Sequence, residues 1–293
     1  MKLSNIFLST LAVLLCCTAC SKDEESFKGK DADASLSIAV KAAGSAVTKG
    51  FHPNDENELA GEAKVNNLSV LVFDESGAQL IGYGWQATNS EGEASILNVP
   101  AMTMRAQIVI VSNTPENSLA GVTSYSDFES KLAQLADLSQ SNLVMSSPVI
   151  TTQAPLVKGD NYLGYASMGS ENINGIAEPV EITRLAARLD LVNVKTDFTK
   201  TLLRNRTVRV EEVTILNQST ASRFFSRDYW GVVMATGHLG NSDATALNRD
   251  IANGSPINDT PYVHYVMEND GSEAPTEIQV RATLLETDTY EAE

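Results

Sequence analysis

The chain has 293 residues, with 37 acidic residues against 21 Lys and Arg, and a formal net charge of −16. That is enough chain for one large or two ordinary domains, each able to bury a core. So acidic a surface repels nucleic-acid phosphates and anionic membranes; the densest basic cluster, Arg204, Arg206 and Arg209, runs straight into Glu211 and Glu212, so nucleic acid is not expected as a partner.

The chain opens with one basic residue, Lys2, then an apolar run from Ile6 to Leu15, then the small residues Thr18 and Ala19 before Cys20. This is the three-part layout of a secretory signal, read here as residues 1–19. The run is too short to span a bilayer, which needs about 20 apolar residues. All three cysteines, Cys16, Cys17 and Cys20, fall within five positions. Ending the signal on a cysteine resembles the bacterial lipobox, with Cys17 where that signal usually has leucine. The resemblance implies cleavage before Cys20 and acylation of its thiol, palmitate being the class of chain. A single acyl chain of that size anchors only marginally, so more than one is required. Residues 20–33, beginning "CSKDEES", cannot pack and read as an acidic tether. Acidic residues just after a lipidated cysteine resemble the surface-export signal of Bacteroidetes lipoproteins.

In "ASLSIAVKA", residues 34–42, Leu36, Ile38 and Val40 alternate with Ser35, Ser37 and Ala39, the period of a strand with one buried face. Residues 43–63 are rich in Gly, Ser, Asn, Asp and Glu, a long exposed loop around Lys49-Gly50-Phe51. Loops beyond about 12–15 residues are uncommon and often functional. Next, "NNLSVLVFDESGAQLIGYG" reads as a hairpin turning at Asp74–Gly77. "ASILNVP" and "MRAQIVIVSN" are further strands, the second apolar on both faces at Ile108 to Val111. One helix is predicted in "SYSDFESKLAQLADLS", with Phe128, Leu132 and Leu135 on one face and capping-box spacing at Ser126 and Glu129. "LVMSSPVITTQAPLV" and "YLGYASMGS" give short strands, and Gly169–Pro179 a connection.

A second part opens near residue 178. "VEITRLAARLDLVNVKT" reads as a strand, then a bend or short helix, then a strand; the helical alternative aligns Leu185, Leu189 and Val192. "TVRVEEVTILN" is a clearer strand, on which Glu211 and Glu212 are expected to face opposite sides. Residues 235–260 read as a second long loop. "PYVHYVMEN" and "TEIQVRATLLE" close the chain as strands. The sum is mainly β, with many short strands separated by turn signals, which points to sandwiches.

The usual catalytic signatures are missing: no G-x-S-x-G elbow, no H-E-x-x-H and no Walker loop. His52, His238 and His264 are far apart in sequence, so no metal site and no cofactor is read from them. Trp85, Trp230 and Tyr229 have faces that stack on sugar, although packing is the commoner use of such rings. "Gly82-Tyr83-Gly84" is too short a motif to argue a nucleotide site.

The order of these segments resembles the fimbrillin family, the major fimbrial subunits of Bacteroidales. The resemblance runs through the lipobox and acidic tether, the alternating first strand, the long loop with its basic residue, "VNNLSVLVFDESGAQL", "EITRLAARLDLVNV" and "YVHYVMENDGSEAPTEIQVRATL". It implies a mainly β protein of two consecutive transthyretin-like β-sandwich domains, residues 34–177 and 178–293, with one short helix in the first. It also implies a non-enzymatic structural subunit of a cell-surface fimbrium that supports adhesion. The precursor is an outer-membrane lipoprotein held through Cys20. A surface protease cuts the first loop between Lys49 and Gly50, where no arginine is available. The first strand, with Leu36, Ile38 and Val40, is then displaced, and a strand of another fimbrial subunit fills the groove. Family members continue past the last strand with more strands, where an acidic run, "LETDTYEAE", stands here. The alternative reading is a surface lipoprotein that stays anchored and binds a glycan or host ligand.

Overall fold

The computed structural model describes residues 31–43, 59–167, 172–224 and 238–285. Its first half contains β1 (Ala34–Ala42), β2 (Lys64–Asp74), β3 (Leu80–Glu91), β4 (Glu93–Ala101) and β5 (Ala106–Ser112). The helix α1 (Tyr125–Ser130) follows, then β6 (Leu132–Gln134), β7 (Met145–Ser146), β8 (Ile150–Thr151), β9 (Gly159–Leu163) and β10 (Val180–Arg184). The main sheet runs β3-β2-β5-β7-β10-β1-β4, with β8 beside β5 and β9 beside β1.

The β2–β3 hairpin turns where expected. Asp74 accepts from the Gln79 amide at 3.0 Å and from the Ser76 hydroxyl at 2.7 Å, which fixes the turn from the inside. The sheet curls until its two end strands touch. A Cβ on Gly82 would lie 2.7 Å from the Pro100 carbonyl oxygen, and one on Gly84 2.8 Å from Val99. The glycines around Tyr83 therefore let β3 lie flat against β4, which is the use of that motif. Inside the curl lies the larger core, including Leu36, Ile38, Val40, Val70, Val72, Ile108, Ile110 and Ile182, all with no exposed surface. As the sequence suggests, every residue of β5 is buried. The outward row on β2 and β5, with Leu71, Phe73, Val109 and Val111, packs under Tyr125 and Phe128 of α1.

The helix is shorter than predicted, and its cap is shifted. Ser124 is the N-cap, accepting from the Asp127 amide at 3.1 Å, while the Asp127 carboxylate accepts from the Thr123 amide at 3.1 Å. Of the predicted stripe only Phe128 is helical. Leu132 lies in β6, which leaves the helix to pair with a distant strand, and Leu135 begins a single 3-10 turn. A long-range ladder outcompetes local helical period here.

The second half holds β11 (Ala186–Leu191), β12 (Thr207–Leu216), β13 (Gln218–Ser219), β14 (Ala221–Arg223), β15 (Leu239–Gly240), β16 (Thr245–Ala252), β17 (Tyr262–Met267) and β18 (Glu277–Leu285). One sheet runs β11-β17-β13-β15 and the other β16-β12-β18. Val210, Val213, Ile215, Ile251 and Tyr262 are buried between them, in two small clusters. The helical alternative for residues 185–192 fails: Leu185 is only the corner between β10 and β11. The first strand of "VEITRLAARLDL" belongs to the first sheet and its second strand, β11, to another. The predicted loop 235–260 contains β16, whose Leu247 and Ile251 reach the core and whose Asp250 pairs with Arg209 on β12 at 2.7 Å. Few apolar residues suffice because only one face of β16 is covered.

The halves are joined by more than the chain. β14 pairs with β6 across the junction, and Phe224 stacks on Phe128 with ring centroids 5.5 Å apart. Leu185 and Met267 join the same aromatic cluster.

Candidate functional site

The first strand is the last but one in the main sheet, with partners along both edges. On one side it pairs antiparallel with β4 from Ala34↔Ala101 to Lys41↔Glu93. On the other it pairs parallel with β9 over residues 34–38 and with β10 over residues 40–42. The two partners meet end to end at Gly164. A Cβ there would fall 2.7 Å from the Ala39 carbonyl oxygen, and its φ of +87° suits glycine.

Alternation aims Leu36, Ile38 and Val40 inward, where all three are fully buried. The polar row is used as well. Ser35 donates to Asp160 at 2.6 Å, and Ser37 accepts from the Asn98 amide at 3.2 Å. Asn161 donates to the Ser35 carbonyl at 3.1 Å. At the start of the strand, Asp33 accepts from the Thr103 amide at 2.8 Å, and hydrogen bonding to the Thr103 side chain and then to its amide holds the carboxyl below the usual range. At the other end, Lys41 pairs with Glu181 at 3.4 Å.

The strand is not joined directly to its neighbours, because β4, β9 and β10 all lie well beyond it along the sequence. Taking it away would bare hydrogen-bonding edges on β4, β9 and β10 and an apolar trough beneath them. That is the geometry that accepts a foreign strand, with main-chain bonds for affinity and alternate pockets for register. Of the residues singled out from sequence, Leu36, Ile38 and Val40 are thus placed together in one site. Cys20, Lys49 and Gly50 lie outside the described residues, as do His52, Tyr229 and Trp230. Trp85 stands half-buried on β3, away from any second described tryptophan. His264 stacks on Tyr262 and meets Gln218 at 2.8 Å. Among the described residues no group of His, Cys, Asp and Glu is arranged to hold a metal.

Two features escape sequence reading. The first is a bulge between Val210 and Glu212, which breaks strict alternation. It brings both carboxylates to one guanidinium: Arg281 Nε lies 3.0 Å from Glu211 and its Nη2 3.0 Å from Glu212. The expectation that they face apart is therefore corrected. The second is Glu62, which is 4% exposed and the only charged side chain buried to that degree among the described residues. Its carboxylate accepts from the Leu59 amide at 3.0 Å, from Arg188 Nη1 at 3.0 and 2.9 Å, and from the Tyr265 hydroxyl at 2.7 Å. Its carbonyl accepts from Arg184 Nε at 3.0 Å. Burial and the adjacent carboxylate push the Tyr265 hydroxyl upward, so it stays a donor. No sequence signal marks Glu62, since its side-chain partners Arg184, Arg188 and Tyr265 lie more than a hundred residues away.

Comparison with known proteins agrees with this architecture. Residues 34–184 match the family model described as the major fimbrial subunit protein, FimA, and residues 185–293 match that of the C-terminal domain of fimbrium tip subunits like Fim1C. The two matches meet at the corner between β10 and β11. A Parabacteroides distasonis protein named for the fimbrium tip subunit Fim1C is 46% identical over 99% of this chain and 77% of its own length. A Porphyromonas gingivalis major fimbrium subunit, FimA type-2, is 26% identical over 98% of this chain and 74% of its own. The crystal structure of a cell adhesion protein from P. distasonis superposes with a TM-score of 0.80 at 45% identity, covering 87% of this chain and 77% of that one. The chain therefore belongs to the fimbrial subunit family, whose members build cell-surface fimbria, with a first half of the FimA kind and a second half of the Fim1C kind.

Proposed function

We propose that this protein is a structural, non-catalytic fimbrial subunit of the tip kind, exported as a lipoprotein acylated on Cys20 and matured by loss of β1. Cutting between Lys49 and Gly50 separates β1 from β2, and a strand from a neighbouring subunit then fills the place of Leu36, Ile38 and Val40. In this reading the two halves, residues 34–184 and 185–293, are transthyretin-like sandwiches acting as one piece. The tip assignment rests on the 46% identity to the Fim1C relative, against 26% to the FimA relative.

One observation carries the reading. The inward row of β1 has no exposed surface and both edges of the strand are paired, yet it joins the rest of the described chain only through the Gly, Asn and Glu-rich segment 44–58. A strand that is paired on both edges in space but peripheral along the chain is suited to exchange, because one cut frees it. A head-to-tail contact made this way need not close on itself, so it yields a filament.

Intact mass and N-terminal sequencing of the protein shaved from cells tests the proposal. The expected mature form begins at Gly50 and runs with other subunits as heat-sensitive complexes. A working form that begins only at lipid-modified Cys20, monomeric after gentle extraction, would overturn it in favour of the anchored binding lipoprotein.

A further inference from the structure

We infer that Glu62 is a positioning residue that keeps the two halves in register while the β1 groove is empty; the inference rests on the strand-exchange reading above. In the intact chain β10 is held on one side by β1 at Val40↔Val180, Lys41↔Glu181 and Ala42↔Ile182. On its other side only Thr183↔Ser146 and Arg184↔Met145 bind it to β7. Loss of β1 therefore leaves β10 with two ladder pairs. β10 runs through the single residue Leu185 into β11, so a β10 that slips takes the second half with it.

Glu62 grips this corner on both sides. Its carbonyl takes Arg184 at the end of β10, and its carboxylate takes Arg188 on β11 and Tyr265 on β17, the strand paired with β11. Asp190 takes the remaining Arg188 Nε at 2.9 Å. None of these partners belongs to β1. The turn that carries Glu62 is also independent of β1: Glu62 N donates to the Leu59 carbonyl at 3.0 Å, and Gln140 donates to the Ala60 carbonyl at 2.9 Å. From there the chain enters β2, whose neighbours are β3 and β5.

A buried carboxylate with directional donors resists sliding in a way that an apolar patch does not, and leaving its partners unmatched is costly. The aromatic contacts around Phe128 hold the halves together; Glu62 specifies their register. Its place directly after segment 44–58 means that the new N-terminus made by cutting there leads into a fixed point.

The test uses the full chain with a site-specific protease sequence substituted within residues 44–58, in wild type, Glu62→Gln and Tyr265→Phe. Amide hydrogen exchange is followed before and after cutting. Before cutting, exchange over residues 180–191 should stay within about threefold of wild type in both variants, because β1 still clamps β10. After cutting, Glu62→Gln should exchange there at least about tenfold faster than cut wild type, with Tyr265→Phe in between and β2 and β5 unchanged. Equal acceleration before and after the cut, or none after it, overturns the inference. If cutting the wild type fails to expose β4 and β9, the strand-exchange reading falls, and this inference with it.

Discussion

Strands β1 and β18 carry the same pattern and meet opposite fates. In β1 the apolar row is Leu36, Ile38 and Val40, all fully buried; in β18 it is Ile278, Val280 and Leu284, exposed to 46%, 41% and 45%. Register shows that the β18 row points the right way. Ile278 pairs with Ile215 and Val280 with Val213, so each shares a face with a fully buried neighbour. The difference lies in what stands opposite. β1 has partners on both edges and a closed curl beneath it. β18 is the last strand of a three-stranded sheet, and the facing sheet covers β12 and β16 but not β18. Alternation tells which face is apolar; only long-range pairing decides whether that face is covered.

The largest expected effect follows from the first strand. Ile38→Ala removes three carbons from a site with no slack and should cost about 3 kcal/mol, read as a lowered urea midpoint with an unchanged slope. A loss below about 1 kcal/mol would mean that β1 is already loosely seated, and the contrast with β18 would collapse. Gly82→Ala comes next, at about 2 kcal/mol, because the new methyl meets the Pro100 backbone oxygen and not a movable side chain. Gly84→Ala should cost less, since its obstacle is the Val99 side chain, which has some room to shift.

What could be read in advance follows the same division. The hairpin at Asp74–Gly77, the double-sided burial of β5 and the two-faced strands were legible, because turn chemistry and period-two patterns are local. The buried row Leu36, Ile38 and Val40 was legible for that reason too. The short helix was visible, but its end was not, since β6 leaves it to pair with β14 far along the chain. β16 was hidden in a polar stretch because it is half-exposed and owes its place to the ladder with β12. The pairing of Glu211 and Glu212 on Arg281 depends on a bulge, and Glu62 on residues in the other half. Neither leaves a periodic trace.

Val280→Ala sharpens the comparison at the other end of the scale. It removes two methyl groups from a residue that is 41% exposed, and should cost well under 1 kcal/mol in the same urea experiment. Arg281→Ala next to it should be similarly mild, because the side chain is 64% exposed and its ion pairs are screened. A Val280→Ala loss as large as that of Ile38→Ala would show that something covers β18 in solution.

The smallest effect separates the two cores by chemistry rather than by depth. The larger core of the first half is built from aliphatic and methionine side chains, whereas the second has an imidazole on its inner face: His264 pairs with Leu189 and lies in the row of Tyr262 and Val266. Burial lowers its pKa below the ordinary value. The unfolded chain therefore takes up the proton first as pH falls. Stability from this residue is complete above about pH 6.5 and is lost progressively as pH drops toward and through the lowered folded value. His264→Gln should flatten that acid limb while leaving the melting temperature at pH 8 little changed. The change should appear in the second half, as faster exchange over β17 at mildly acidic pH, with β1 and β5 unaffected. An acid limb of equal steepness in the variant would assign the loss to carboxylates instead, and would remove the chemical contrast between the cores.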